Sequence, residues 1–138
     1  MKITAFTAAF ALVLAVPAIA QAPESVRIGQ FDKTNSGQPI LLPQGPAQVT
    51  VSRVSIPAGG KLAAHKHPFQ RYGYVESGAI RVTNLDTGTV TDYSAGQAIM
   101  EARDQWHRGE VTGDAPVVLI VFDQTPPGQG NMVVKPTP

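Results

Sequence analysis

The chain contains three histidines, and two of them, His65 and His67, stand two positions apart. In extended backbone successive side chains alternate across the strand, so both imidazoles point the same way. Imidazole is the commonest protein ligand for transition metals. The third histidine, His107, follows the only tryptophan, Trp106. One close pair with a distant partner, in a chain without cysteine, suggests a metal site of three neutral imidazoles. The other reading of each histidine alone is a satisfied surface or core residue.

The segments that must position these rings read as strands. Gly and Pro recur along the chain, and between them lie short runs rich in Val, Ile, Thr and Tyr, the pattern of an all-β sandwich or barrel. Residues 23–30, PESVRIGQ, suit an opening strand, and a polar loop follows through Asn35-Ser36-Gly37. Gln48 to Ile56 alternates apolar and polar residues but changes phase: Val49 and Val51 fall on one parity, Val54 and Ile56 on the other. A bulge near Ser52-Arg53 explains such a switch; burial of both faces is the alternative. Arg71 to Ser77 and Ala79 to Asn84 flank Gly78 as two strands. Leu85-Asp86-Thr87-Gly88 has the residues of a tight reversal. Val117 to Phe122, VVLIVF, is apolar on both parities and is expected at the centre of a sheet. From Thr125 the Pro/Gly-rich tail is expected to be an irregular strap on the surface or a fraying end.

The beginning of the chain has a separate logic. A charged start at Lys2, an apolar run ITAFTAAFALVLAV, Pro17 and then Ala18-Ile19-Ala20 form the three regions of a secretory signal peptide. The run is too short for a comfortable span of about 20 residues. Cleavage near Ala20 leaves about 118 residues, one domain by length, in a periplasmic or secreted compartment. Only Lys2 is lost among the charges, leaving ten basic and ten acidic residues. A neutral surface without a basic block argues against nucleic acid and against anionic membrane as partners of the mature form. Without cysteine no disulfide can form, so the fold depends on its core.

The spacing of the motifs resembles that of the cupin family, small β-barrels related to the jelly roll. The family's first motif is a Gly, five residues, H-x-H, three or four residues, Glu, six residues, Gly. Gly59, His65, His67 and Gly78 stand at those spacings. Its second motif is a Gly, five residues, P-x-G, two residues, His, three residues, Asn, and Gly96 and His107 keep their places. The likeness covers roughly Val49 to Phe122, with the preceding residues 21–47 as a strand and loop. It implies a single cupin-type jelly-roll β-barrel over residues 48–123, with residues 124–138 as the tail.

The departures bear on function. The metal-binding Glu of the motif falls on Arg71, its Pro and Gly on Ala102 and Asp104, and its Asn on Val111. A guanidinium has no lone pair to give and stays protonated. Aimed at a divalent cation about 4 Å away it would cost several kcal/mol even at an effective dielectric near 20. Arg71 is therefore expected to swing out of the site, or the site holds no metal. Three arrangements stay open. In one, His65, His67 and His107 alone hold a divalent transition metal (Fe, Zn, Mn, Ni or Cu), with positions left for water, oxygen or a small-molecule substrate. Thiol dioxygenases within the cupin superfamily use a three-histidine iron centre of that kind, so the resemblance implies a metal-dependent oxygenase-type enzyme. In another, Gln70 offers its amide oxygen as a weak fourth ligand. In the last, a metal-free pocket binds a small anion through Arg71 and the histidines, which makes the protein a binding module.

With a metal present, Arg71 has a role in holding a substrate carboxylate, and Arg71→Glu is then expected to tighten metal binding. Phe69 and Trp106 adjoin the histidines and suit the pocket wall, with ordinary packing as the alternative. Glu101 and Asp104 read as solvated loop charges, with a carboxylate orienting an imidazole as the second possibility. Tyr72 and Tyr74 share the parity opposite to Arg71 and suit a buried face or a dimer contact. A homodimer is common among small members of the family. Ser77, Ser94 and Thr112 have no base near them in the motif, so a hydrolase triad has little support.

Overall fold

The computed structural model describes residues 22–137, so the expected signal peptide, residues 1–20, lies outside the described residues. Among the described residues there is no helix. Nine strands run β1 Gln48–Ile56, β2 His65–Lys66, β3 Gln70–Ser77, β4 Ala79–Asn84, β5 Val90–Ser94, β6 Ala98–Met100, β7 His107–Val111, β8 Val117–Thr125 and β9 Val133–Val134. They form two antiparallel sheets, ordered β1-β8-β3-β6 and β5-β4-β7-β2-β9. The sheets form a jelly roll, and hydrogen bonds do not close them into a continuous cylinder.

The interior is divided along its length. At one end Ile56, Val75, Ile80, Ile99, Val111, Val117, Leu119 and Val121 from both sheets form a single apolar cluster. Each such side chain contributes about 1.5–3 kcal/mol by leaving water. At the other end the inward positions turn polar. On β8 the buried series Val117, Leu119, Val121 continues as Asp123 and Thr125. On β3, Val75 and Gly73 give way to Arg71, which lies opposite Asp123. The VVLIVF run is central, with β1 on one side and β3 on the other.

Several expectations are corrected. β1 pairs with β8 in unbroken register from Gln48↔Thr125 to Ile56↔Val117, so it has no bulge near Ser52-Arg53. Its phase change has another cause: Val54 and Ile56 face inward, while Val49 and Val51 are exposed on the outer face of an edge strand. The irregularity falls instead between Val75 and Ser77, where β3 shifts register against β8. It leads into Gly78, whose φ of 78° favours glycine. A Cβ there would also stand 2.5 Å from the Pro116 carbonyl oxygen. Residues 23–30 form no strand, and the stretch before β1 has only the bridge Lys33↔Pro39. The tail is not merely a loose strap: β9 pairs with β2, placing Val134 beside His65, and Asn131 is buried.

Candidate metal centre

β2 and β7 are neighbours in one sheet, and their register puts His65 directly across from His107. His67 follows just past β2, where the chain bridges to Arg103. The three rings therefore converge, with centroids 4.5 to 5.0 Å apart. All three residues are buried, and their ligand atoms lie within 4.8 Å of one another, a group that could hold a metal ion.

The backbone fixes the orientation of each ring. His65 Nδ1 lies 2.8 Å from the Ala63 carbonyl oxygen and His107 Nδ1 lies 3.0 Å from that of Gln105. His67 Nδ1 meets the Asn131 carbonyl, brought in by the tail. A carbonyl only accepts, so each Nδ1 carries the hydrogen and each Nε2 of a neutral ring keeps its lone pair. This is the arrangement by which a carbonyl behind the ring orients an imidazole as a metal ligand.

Burial lowers the His65 pKa, and the neighbouring His107 and His67 charges lower it further. Burial also acts downward on His107, but Glu101 outweighs it and the His107 pKa rises. Glu101 is the residue that the sequence pattern undervalued. It follows β6, in the opposite sheet, and its side chain is 13% exposed rather than solvated. Its Oε2 lies 3.0 Å from His107 Nε2 and 3.1 Å from His67 Nε2. Burial alone would raise its pKa, yet the contacts with His107 and His67 hold it well below the usual carboxylate range. Both Nε2 atoms are fully enclosed, and neither makes an aligned hydrogen bond among the described residues. Lone pairs that converge at this distance without a hydrogen bond fit a shared cation, so the residues present suit a metal.

Arg71 faces inward, but its guanidinium is held by Asp123, Nε to Oδ1 at 2.8 Å and Nη2 to Oδ2 at 2.7 Å. Asp123 also accepts from Asn131 Nδ2, and Asn131 Oδ1 accepts from the Phe69 N–H. The chain Arg71–Asp123–Asn131 thus ends on the carbonyl that orients His67. Gln70 is buried, and its amide nitrogen donates to the carbonyls of Arg71 and Glu101, 3.0 Å each. The Glu101 N–H donates back to Arg71, so Glu101 is clamped to β3 from both sides of its peptide.

Phe69 and Gln70 border a cavity of about 830 Å³ with Leu41, Leu42, Pro126 and Arg103. None of the three histidines lines it. Trp106 packs elsewhere, with Lys66 Nζ 5.1 Å and Lys135 Nζ 5.6 Å from its ring centre.

The loop between β6 and β7 keeps its shape without the motif's P-x-G. Asp104 stands at the motif's Gly and has a φ of 54°, a left-handed conformation that Asp tolerates better than most residues. Its N–H donates to the His67 carbonyl, and its carboxylate pairs with Lys66 at 2.6 Å. Beyond the loop, the β4–β5 turn secures His107. Asn84 pairs with His107 across β4 and β7, and its Nδ2 donates to Gln105 Oε1. Asp86 Oδ2 accepts the Trp106 N–H.

Two antiparallel sheets with a buried histidine cluster define a jelly roll with a candidate metal centre, and comparison with known proteins gives the family. The sequence profile described as the Cupin domain matches residues 52–123, and the chain belongs to the cupin family. No curated protein sequence matches the chain. Among solved structures, the formate complex of an oxalate decarboxylase from Lactobacillus farciminis superposes with a TM-score of 0.55 at 20% identity, over 62% of this chain and 26% of that one. A double-stranded β-helix protein of Klebsiella pneumoniae gives 0.53 at 24% identity, over 64% and 76%. The Bacillus subtilis oxalate decarboxylase, described for its Mn(II) centres, gives 0.54 at 23% identity, over 62% and 23%. This chain spans about a quarter of either decarboxylase, and at these identities the likeness is one of fold.

Proposed function

We propose that this chain is an exported cupin that binds one divalent transition metal through His65, His67 and His107 and uses it to act on a small molecule. The carrying observation is that all three Nδ1 atoms are tied to backbone carbonyls, which leaves the Nε2 atoms as ligands, in a cluster whose ligand atoms lie within 4.8 Å of one another. When bound, the metal supplies Lewis acidity or redox chemistry at open coordination positions. The protein's part is to orient the imidazoles and keep the site shielded from water. A small carboxylic acid is a suitable substrate class, since similar folds occur in proteins described with oxalate, formate and glycolate. An oxygen-dependent oxidation is the reaction type the three-histidine set supports best. Against the metal-free anion-binding alternative stands Glu101, a negative charge already among the rings.

The test is metal analysis of protein purified from its native compartment, followed by oxygen uptake with small carboxylic acids. Stoichiometric metal with substrate-dependent uptake supports the enzyme. Metal without turnover leaves a binding module, and no metal above background overturns the reading. The amino terminus of the same preparation reports export: a start near Gln21 supports cleavage, and a start at Met1 opposes it. A homodimer belongs to the proposal as well. Val51 and Phe122 are register partners, and with Val49 they are exposed on the outer face of the four-stranded sheet. Sedimentation at micromolar concentration distinguishes monomer from dimer.

A further inference from the structure

We infer that Glu101 is the fourth protein ligand of the metal, supplying from the opposite sheet the carboxylate that the cupin motif would place at position 71. The inference rests on the three-histidine reading above and goes one residue beyond it. Position 71 is occupied by arginine, and its charge is directed to Asp123 rather than to the histidines. A carboxylate is nevertheless present at the cluster. Glu101 Oε2 stands 3.0 and 3.1 Å from two Nε2 atoms that have no other partner among the described residues.

The enclosure points the same way. The Glu101 side chain is only 13% exposed, and the two Nε2 atoms it faces are both buried. A divalent cation held by the three rings and joined by this carboxylate on the His67 and His107 side replaces the repulsion between those lone pairs with coordinate bonds. The backbone of Glu101 is held to β3 by two hydrogen bonds, from its N–H to the Arg71 carbonyl and to its carbonyl from the Gln70 amide, so the residue that carries the carboxylate is fixed in place. Rigid placement of this kind is what a ligand set requires. A mixed set of three nitrogens and one oxygen suits Mn²⁺ or Fe²⁺, since carboxylate favours the harder ions while imidazole holds iron.

The experiment uses the full mature protein, stripped of metal and reloaded with Mn²⁺. Binding is measured by competition titration, and the Mn²⁺ paramagnetic resonance spectrum is recorded for wild type, Glu101→Gln and His107→Ala. The expected result is one Mn²⁺ per wild-type chain and an affinity reduced about 100-fold or more in Glu101→Gln, with a changed zero-field splitting. Wild-type affinity and an unchanged spectrum in a folded Glu101→Gln variant overturn the inference while leaving the histidine site standing. No binding by the wild type, or full binding by His107→Ala, overturns the underlying reading instead. A crystal structure of the Mn²⁺-loaded wild type answers without any substitution. A Glu101 oxygen about 2.2 Å from the ion supports the inference, and one beyond about 3 Å, outside any bond, overturns it.

Discussion

Arg71 lies directly across the β3–β8 ladder from Asp123 and grips both of its carboxylate oxygens, at 2.8 and 2.7 Å. The pair shows how a cupin can carry a cation at the motif's carboxylate position without directing it at a metal: the charge is compensated within its own sheet.

This pairing sets the response to substitution at position 71. Both side chains are nearly buried, and removing one partner leaves the other charged in a poor solvent. Arg71→Met and Asp123→Asn are each expected to cost about 3 kcal/mol of unfolding free energy. The double variant should cost less than their sum, with a coupling of about 2 kcal/mol. Arg71→Glu sets two carboxylates against each other across the ladder and is expected to unfold the protein more readily rather than to tighten metal. Denaturant melts of the four variants check this, and strict additivity would sink it.

The tail is expected to matter for metal binding. Deleting residues 128–138 removes the Asn131 carbonyl behind His67 and the β9 strand beside His65. Loss of such an orienting partner typically weakens metal affinity about 10- to 100-fold. Titration of the truncated and full chains with the same metal measures the effect. Equal affinities would show that the tail has no part in holding the rings.

In the metal-free protein, stability should fall on both sides of a mildly acidic maximum. Glu101 has a depressed pKa, so its contribution is present above the unfolded carboxyl value of about 4.3 and is lost as pH falls. The His107 pKa is raised. Its contribution is therefore complete below the unfolded imidazole value of about 6.5 and disappears as pH rises through the folded value. His65 is shifted down and opposes His107 in that window, so the alkaline decline should be the shallower. Melting temperatures from pH 3 to 9 decide this, and a flat profile would refute the coupling. Metal affinity should rise with pH over the same range, because His107 must first lose its proton.

Asp104 provides a separate test of backbone conformation. Glycine has no penalty at a φ of 54°, while the Lys66 pair it forfeits has an exposed carboxylate and is worth about 0–1 kcal/mol. Asp104→Gly should therefore stay within about 1 kcal/mol of wild type, whereas Asp104→Val should cost about 2 kcal/mol. Thermal melts distinguish the two, and equal stability of both variants would argue against the left-handed conformation.

Much of this site was legible in the linear chain because it is local. His65 and His67 declare themselves by a spacing of two, and Gly78 and Gly96 mark the turns around them. The apolar run at Val117 predicts a central strand from composition alone. By contrast, the phase change in β1 was misleading, since exposed Val49 and Val51 at a sheet edge look the same in sequence as a bulge.

What the order of residues determined by itself is an all-β chain with three histidines at cupin spacing and an arginine where a carboxylate belongs. Only the folded arrangement decided that Arg71 faces Asp123, that Asn131 reaches back from the tail to His67, and that Glu101 enters the cluster from the other sheet. Each of those relationships joins residues that strand pairing or sheet packing brings together from distant parts of the chain. A linear pattern records which side of its own strand a side chain occupies, but not which strand or sheet lies opposite.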